Sequence, residues 1–483
     1  MEKKKKGEKP LTGLTEISEN QEKPSLGEVL KNKSYSLVIS GQILAVVSNI
    51  IAFTAISYII YSTTQSATMM SLLIVIGILP NVLLMPIAGV LIDRLDQRKV
   101  IFVATTILLG GKIGFLAIYL LKDLLTLIDI QKIVTGTGHI IYQSSLNYVH
   151  FIWPLYLLAF INAIGGSVLF LTIGTYTRHV VKRKNLLVMN SFNQTVMQIA
   201  TVIGPLIAGV IADFNYLFSF IVSGTVIGAG ATVCFFLTLK GNKPILEDRK
   251  RKHWKEEILE FGRDIRIGFR AVREDSKISF VLVMYTLFNF TVASIGGLYS
   301  VILQGKLELN PTWYGAVGTV SAGIGILTSL IIITIGKINR KLILINAVIL
   351  IEAIGLLLFS LITNKWVMVL VVTLPLGIVN GAANIPSSTL RQERLPKEKL
   401  GRAMSTVTLF TSLGNLTGTI IVTIVSGIFL PTHILLVGTG LTFLLGIGGT
   451  IAMFSKQSLR CPDYKIDEAM ILSEETKLKA NSD

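Results

Sequence analysis

Long runs of apolar residues, separated by short polar stretches, dominate this chain of 483 residues. Twelve of these runs are long enough for an α-helix to cross a bilayer, which takes about 20 residues. A backbone inside lipid must satisfy its own hydrogen bonds, so the pattern predicts an all-α membrane protein with twelve transmembrane helices. The predicted spans cover residues 37–61, 67–91, 100–121, 152–175, 186–211, 214–239, 277–303, 312–335, 341–363, 366–388, 402–428 and 433–454.

The polar stretches predict how the chain is divided. A charged break at 241–276 separates a six-helix bundle at 35–240 from a second one at 277–455, and polar tails occupy 1–34 and 456–483. Residues 1–25 lack the apolar core of a signal peptide and are typical of a disordered tail. Within the break, apolar residues recur every three or four positions from Trp254 to Val272, which predicts an amphipathic helix. That helix could lie on the membrane surface or form a solvated linker.

Charge supports the same class of protein and gives it an orientation. Only 15% of residues are charged and mean hydropathy is +0.65, too apolar for a soluble chain of this length. The net charge of +16 would suit nucleic-acid binding, but its distribution argues against that partner. With twelve spans, every arginine falls on the side of the membrane that also holds both termini, so the positive-inside rule predicts a multi-pass protein of the cell membrane with cytoplasmic termini. These arginines are at 94, 98, 178, 183, 249, 251, 263, 266, 270, 273, 340, 391, 394, 402 and 460.

Candidate catalytic and metal-binding residues do not form a recognisable constellation. The two cysteines and five histidines lack ligand spacing, so we expect no metal, no cofactor and no catalytic residues. No repeated filter segment of the kind that channels use occurs either. An enzyme or a channel is therefore disfavoured relative to a carrier.

The loop after the second span, "GVLIDRLDQRK" at 89–99, has a weaker copy, "IGKINRKLILI", after the eighth span. Both loops place a glycine before basic residues at the same point of their half. Such a correspondence is typical of transporters built from parallel six-helix repeats, with the substrate site between the halves.

These residues resemble the major facilitator superfamily. Its signature in this loop is matched by Gly89, Asp93, Arg94 and Arg98, whereas Asp96 stands where a later glycine is usual. That departure also occurs in the branch that resembles macrolide-efflux proteins. The segments "RQERLPKEKLGRAMS" at 391–405 and "QILAVVSNIIAFTAISYIIYSTTQSA" at 42–67 also look like that branch, and the resemblance covers residues 35–455.

The resemblance implies a conformational latch. Asp93 would face the positively charged N-terminal end of the eleventh helix, near Gly401 and Arg402. This contact would hold the halves together on the inner side while the cavity opens outward. The alternative is that Arg94 and Arg98 only keep the loop inside, although that role needs no aspartate.

A glycine–proline motif in the fifth span adds to the resemblance. Gly204, Pro205 and Gly209 look like the motif that the superfamily's exporters carry in this helix, although Ala208 stands where a second glycine is common. Proline bends a span and small residues allow close helix packing. The motif favours export over uptake.

In this fold the first, fourth, seventh and tenth helices line the cavity. The resemblance therefore makes their amides candidates for binding substrate, with the alternative that they only bridge helices. A few neutral hydrogen-bonding groups in an apolar cavity suit a bulky amphiphilic ligand. These amides are Gln42, Asn49, Asn162, Asn289, Asn380 and Asn384.

Proton coupling requires an ionisable group inside the spans. Drug exporters of this superfamily often use an acid in the first span or an arginine in the fourth, and Asn162 occupies that second place here. Two obvious candidates lie deep, Lys112 in the third span and Glu352 in the ninth. We expect Glu352 to be the proton group, whereas Lys112 could reach the outer interface with its long stem.

Together these features predict a monomeric secondary active transporter. It would export amphiphilic, drug-like or macrolide-like small molecules by alternating access, through antiport with protons across the lipid bilayer. An endogenous metabolite such as a siderophore, or a lipid, is the alternative cargo, because a fold does not determine a substrate.

Overall fold

The computed structural model describes residues 25–121, 149–182, 185–240, 254–335, 338, 340–361, 364–395, 397–456 and 459. These residues form helices and short connections, with no strand among them. Twelve helices within the described ranges are long and apolar enough to cross a membrane. This confirms the predicted all-α fold with twelve spans.

Fifteen α-helices follow one another along the described chain. A π-helical turn, Ile302–Lys306, extends α9. The helices are α1 (Leu26–Lys31), α2 (Lys33–Thr64), α3 (Ala67–Arg94), α4 (Gln97–Leu120), α5 (Val149–Val180), α6 (Leu186–Phe214), α7 (Tyr216–Lys240), α8 (Trp254–Glu274), α9 (Ser276–Val301), α10 (Pro311–Ile335), α11 (Lys341–Leu361), α12 (Lys365–Ala382), α13 (Asn384–Arg394), α14 (Lys397–Val425) and α15 (Pro431–Ser455).

The same packing occurs in both halves. In the N-terminal half, α2 packs on α6 and α7, α4 packs on α5 and α7, and α3 packs on α5. In the C-terminal half, the corresponding α9 packs on α14 and α15, α11 packs on α12 and α15, and α10 packs on α12. Three helix pairs, α6 with α10, α3 with α14 and α3 with α9, join the halves. The internal repeat that the loop glycines indicated is therefore present in the fold.

We distinguish the two ends of the bundle by their loops. The basic end contains α1, α8 and the C-terminal ends of α3, α5, α7, α10 and α13. The described arginines lie at this end. The far end contains the connections after α2, α6, α9 and α14. The predicted outer loop at 122–151 lies outside the described residues except for 149–151 at the start of α5.

The tenth span is divided into α12 and α13 at Ala383. Pro386 has no amide hydrogen to donate to the carbonyl one turn earlier, which favours an interruption of the helix in this segment. The Tyr285 hydroxyl donates to the Ala383 carbonyl at 2.6 Å, which ties α9 to the point of interruption. The sequence pattern predicted a single uninterrupted span here.

The N-terminal segment docks on the basic end before the first span begins. The Asn32 side chain accepts from the amides of Ser34 and Tyr35, capping α2, and donates to the Val180 carbonyl at 2.7 Å. Glu28 on α1 forms an ion pair with Lys182 at 2.9 Å. The predicted tail at 1–34 thus includes an ordered helix.

The amphipathic helix of the break, α8, packs on the start of α14. Phe269 stacks on Phe410 with ring centroids 5.6 Å apart, and Thr406 Oγ1 donates to the Ile265 carbonyl at 3.3 Å. Part of its apolar face, including Ala271 and Val272, is therefore covered by protein. The contact with α14 is compatible with a position of α8 at the membrane surface, which stays a prediction, as does the solvated-linker alternative.

Candidate substrate cavity and the contacts between the halves

The closest approach between the halves joins α6 to α10. A Cβ on Gly209 would lie 2.2 Å from the Pro311 carbonyl oxygen, and a Cβ on Gly315 would lie 2.1 Å from the Pro205 carbonyl oxygen. Both distances are far below van der Waals contact, so only glycine allows the two backbones to come this close. The glycine–proline motif of the fifth span therefore lies at the interface between the halves.

Hydrogen bonds extend this contact toward the far end. The Asp213 carboxylate accepts from Asn310 Nδ2 at 3.0 Å and from Thr312 Oγ1 at 2.7 Å. Deeper in the interface, Thr319 Oγ1 donates to the Val202 carbonyl at 2.6 Å. The end of α6 is thus bonded to the start of α10.

A second set of contacts closes the far end on the opposite side. The Tyr58 hydroxyl donates to the Leu309 carbonyl at 3.0 Å, and Ser426 Oγ donates to Thr68 Oγ1 at 3.2 Å. One apolar cluster contains residues of both halves, including Met70 from α3 and Val422 from α14. The far end is closed in this structure.

The basic end is connected differently. Where both partners are described, the ion pairs at this end join elements of the same half, such as Arg394 with Asp275 at 2.7 Å and Lys341 with Glu393 at 2.7 Å. Among hydrogen bonds between described residues, those that join the halves lie at the far end or midway along α6 and α10. The halves are therefore more firmly connected at the far end.

A cavity of about 510 Å³ lies between α6 and α10. Its wall combines neutral amides and hydroxyls with apolar side chains, and no charged side chain lines it. This composition suits a bulky ligand with hydroxyl, ether or ester groups on an apolar skeleton. The lining residues are Gln194, Met197, Gln198, Thr201, Val202, Tyr299, Gly318, Ser321, Ala322, Gly325, Ile326, Ser329 and Leu376.

None of the six amides predicted to bind substrate is among these lining residues. Gln42 on α2 has a buried Oε1 without a hydrogen-bond partner within the described part of the chain. Asn289 Nδ2 donates to the Tyr285 carbonyl of its own helix at 2.8 Å. Asn384 is exposed at the start of α13, and the Asn380 side chain lies outside the described residues.

Asn49 and Asn162 instead meet at a lysine. Lys112 Nζ donates to Asn49 Oδ1 at 2.8 Å and to Asn162 Oδ1 at 3.1 Å, while Asn162 Nδ2 donates to the Leu158 carbonyl at 2.9 Å. Lys112 is only 3% exposed, and its ammonium lies 5.6 Å from the centre of the Phe115 ring. The expectation that its stem reaches the outer interface is wrong, because both acceptors hold the ammonium inside the bundle. This node ties α4 to α2 and α5, which the resemblance expected to line the cavity, whereas the cavity found between α6 and α10 is lined by neither.

Glu352 lies on α11, the helix that corresponds to α4 in the repeat. Its side chain is 1% exposed, and Oε2 has no hydrogen-bond partner among the described residues. The neighbouring turns of α11 are also buried, with Ile349 and Leu356 packed in apolar clusters. The two intramembrane ionisable groups therefore differ: Lys112 is bonded to neighbouring helices and Glu352 is surrounded by apolar packing.

The proposed latch is described only in part. The side chains of Asp93 and Arg94, and the surroundings of Gly89, lie outside the described residues. Arg98 donates to the Asp96 carboxylate from Nε at 3.1 Å and from its terminal nitrogen at 2.8 Å. This pairing holds the pKa of Asp96 below its usual range.

The start of α14, where the resemblance places the partner of Asp93, is in contact with α8. Arg402 Nε forms an ion pair with Asp264 Oδ1 at 2.8 Å. Gly401 is exposed, and a Cβ there would meet no atom within 4 Å. The start of α14 is thus bonded to the linker helix in this structure.

Sequence reasoning missed the wall of the cavity. Gln194 and Gln198 are one turn apart on α6, as are Ser321 and Gly325 on α10, so helical spacing could have placed each pair on one face. What the spacing could not show is that these two faces meet. The two faces meet because α6 and α10 approach each other closely at Gly209 and Gly315.

The model of one family, the Major Facilitator Superfamily, matches residues 38–419. The chain belongs to the Major Facilitator Superfamily. It is therefore a transporter of multi-pass membrane topology, and its twelve spans are those of this family's fold.

Relatives of this chain are found among efflux proteins. It is 22% identical over 380 residues to macrolide efflux protein A of Streptococcus pyogenes, covering 78% of this chain and 84% of the relative. It is also 22% identical over 332 residues to macrolide efflux protein A of Enterococcus faecalis, covering 68% of this chain and 92% of the relative. The resemblance to the macrolide-efflux branch is confirmed.

Solved structures share the fold at lower identity. A bacterial homologue of the iron transporter ferroportin in an inward-facing state matches with a TM-score of 0.63 and 14% identity, over 88% of this chain and 99% of that one. The nucleoside transporter NupG matches with a TM-score of 0.60 and 14% identity, over 87% of this chain and 100% of that one. These likenesses show the fold.

Proposed function

We propose that this transporter exports amphiphilic small molecules from the cytoplasm by alternating access, in exchange for protons that enter the cell. The observation that carries the proposal is the neutral, mixed polar and apolar cavity between α6 and α10, beneath a closed far end. The efflux relatives favour a macrolide-like cargo. The alternative cargo is an endogenous siderophore-like metabolite or a lipid.

The orientation is part of the proposal. The basic end would face the cytoplasm of the cell, because arginine-rich loops are retained on that side of the membrane. The cavity would then receive its ligand from the cytoplasm or the inner leaflet while the far end stays closed. Opening of the far end would release the ligand outside.

The experiment is transport by purified protein in liposomes with the basic end outward. With an acidic lumen, protons leaving the vesicle should drive a radiolabelled macrolide inward, and an ionophore that collapses the gradient should stop it. A siderophore and a fluorescent phospholipid serve as competing cargoes in parallel vesicles. Macrolide flux that is independent of the pH gradient would contradict antiport. Transport of the siderophore or the phospholipid, without transport of the macrolide, would contradict the proposed substrate class.

Coupling is assigned to Lys112 in preference to Glu352. Lys112 is hydrogen-bonded to α2 through Asn49 and to α5 through Asn162, and α2 packs on the cavity helix α6. A change in its protonation therefore changes the bonds that fix the helix behind the cavity wall. Its partners are neutral amides, so loss of the proton leaves no buried carboxylate unpaired. Glu352 has no such connection within the described part of the chain.

Replacement of Glu352 by glutamine should leave gradient-driven transport near its original rate. The substitution preserves side-chain size at a position where Oε2 makes no hydrogen bond to described residues. Initial uptake rates with and without an imposed pH gradient measure the effect. If Glu352→Gln loses only the part of uptake that the pH gradient drives, Glu352 is the group that couples transport to protons.

We propose that Asp93 contacts the start of α14 in the state in which the basic end is closed. Asp93→Asn should lower transport several-fold, because a carboxylate at a helix N-terminus contributes about 0.3–2 kcal/mol. Asp96→Asn is the matched control, since Asp96 is bonded to Arg98 of its own loop. Both rates are to be compared at equal amounts of folded protein. Equal rates for the two variants would exclude a special role for Asp93.

A further inference from the structure

Helix α8 has one face that is covered by the rest of the protein. A Cβ on Gly268 would lie 2.4 Å from the Arg402 carbonyl oxygen, so the α8 backbone crosses directly over the start of α14. The Asp264–Arg402 ion pair and the stacked rings of Phe269 and Phe410 lie beside this crossing. α8 is therefore fixed to the start of the eleventh span.

The opposite face of α8 carries a line of arginines. At 100° per residue, the four side chains fall within an arc of about 80° centred opposite Gly268, and they extend over about 15 Å of helix. All four are exposed. We call them the arginine face: Arg263, Arg266, Arg270 and Arg273.

No described carboxylate neutralises the arginine face. The described acidic residues of α8 point to other partners, since Asp264 pairs with Arg402 and Glu274 lies 3.7 Å from Lys399. Four guanidinium groups on one face, without a protein counter-charge in the described ranges, form a binding surface for anions. Guanidinium groups bind phosphate in a two-pronged geometry that lysine does not reproduce.

The position of α8 indicates which anion is within reach. It lies alongside α14 from Arg402 to Phe410, the first turns of a candidate membrane span that begins at Lys399. The start of a membrane span is where lipid headgroups are expected, so the arginine face would lie near them. Leu259 lies on the same face as the arginines and is 73% exposed, so an apolar side chain among the arginines is available to the acyl region.

We propose that the arginine face binds the headgroups of anionic phospholipids in the leaflet at the basic end. The lipid phosphates supply the counter-charge that the described protein lacks, and the Asp264–Arg402 pair transmits this anchoring to α14. Because α14 also packs on α3 of the other half, the lipid holds an element of the interface between the halves.

The test is native mass spectrometry of the purified full-length protein titrated with phosphatidylglycerol or phosphatidylcholine. The wild-type protein should retain phosphatidylglycerol in preference to phosphatidylcholine, and replacing all four arginines with glutamine should lower this preference at least tenfold. Replacing them with lysine should lower it less, because charge is kept while the two-pronged geometry is lost. The matched control removes the same charge from four other exposed basic residues at this end: Lys31, Lys33, Arg340 and Lys456.

The thermal unfolding temperature in phosphatidylcholine nanodiscs should be the same for all variants. If the fourfold variant fails to fold, the double variant Arg266→Gln with Arg270→Gln takes its place. A lipid preference that survives in the glutamine variants overturns the proposal. An equal loss in the control set also overturns it, because binding would then reflect net charge. Tight binding of a polyglutamate peptide without a preference between the two lipids would assign the arginine face to an acidic protein segment instead.

Discussion

Gly315→Val is expected to abolish transport. The first added carbon would lie 2.1 Å from the Pro205 carbonyl oxygen, a backbone atom that cannot rotate away. Helices α6 and α10 would have to separate by about 1 Å, and overpacking of this kind typically costs about 1–3 kcal/mol. The separation would also stretch the bond from Thr319 to the Val202 carbonyl. The far-end closure, and with it the closed state of the transport cycle, would be lost.

The matched control for this substitution is Gly323→Ala. Gly323 lies on the same helix, and a Cβ there would meet no atom within 4 Å. Gly209→Val should reproduce the defect from the opposite side, since its Cβ would approach the Pro311 carbonyl oxygen. Macrolide uptake at matched levels of folded protein measures all three variants. Normal uptake in Gly315→Val would mean that the close approach of α6 and α10 is dispensable.

Lys112→Met is expected to remove gradient-driven transport and to destabilise the N-terminal half. Methionine is similar in length but cannot donate, so the buried oxygens of Asn49 and Asn162 lose the donor they share. An unsatisfied buried polar group costs about 1–3 kcal/mol. Transport should fall at least tenfold, and thermal unfolding should shift to lower temperature. Lys99→Met, an exposed lysine near the start of the same helix, should change neither quantity.

A triple variant separates the coupling role of Lys112 from its structural role. In Lys112→Met combined with Asn49→Leu and Asn162→Leu, no polar group is left unpaired at this node, so stability should be largely restored. Substrate counterflow without a gradient should then recover, whereas uptake driven by the pH gradient should not. Recovery of gradient-driven uptake in the triple variant would show that Lys112 holds the helices together and carries no proton.

The sequence was sufficient for the fold because lipid leaves few alternatives. An apolar run of about 20 residues must form a helix, and this constraint alone predicts all twelve spans. The break at Ala383 was missed because Pro386 lies near the end of the apolar run, where the polar residues Ser387, Ser388 and Thr389 were attributed to the end of the span. The docking of α8 was missed because spacing reveals an apolar face but not whether lipid or protein covers it.

The candidate site was harder to predict because it depends on which faces meet. Asn49 and Asn162 were identified as cavity amides from their helices, yet both oxygens are bonded to Lys112. Lys112 was placed deep in its span but was expected to reach the outer interface, because the two acceptors that hold it inside lie 63 and 50 residues away along the chain. The cavity wall of Gln194 and Gln198 arises from the approach of α6 to α10, which one glycine on each helix permits. No periodicity within a single helix contains that information.

Alternating access is the central claim, and two distances measured by spin labels test it most directly. After replacement of Cys234 and Cys461, labels at Gln65 and Phe429 span the closed far end, and labels at Lys99 and Gln392 span the basic end. With the basic end facing an alkaline medium and substrate present, the account predicts that the far-end distance lengthens while the basic-end distance shortens. A far-end distance that stays short under every combination of substrate and pH, or two distances that change in the same direction, would contradict it.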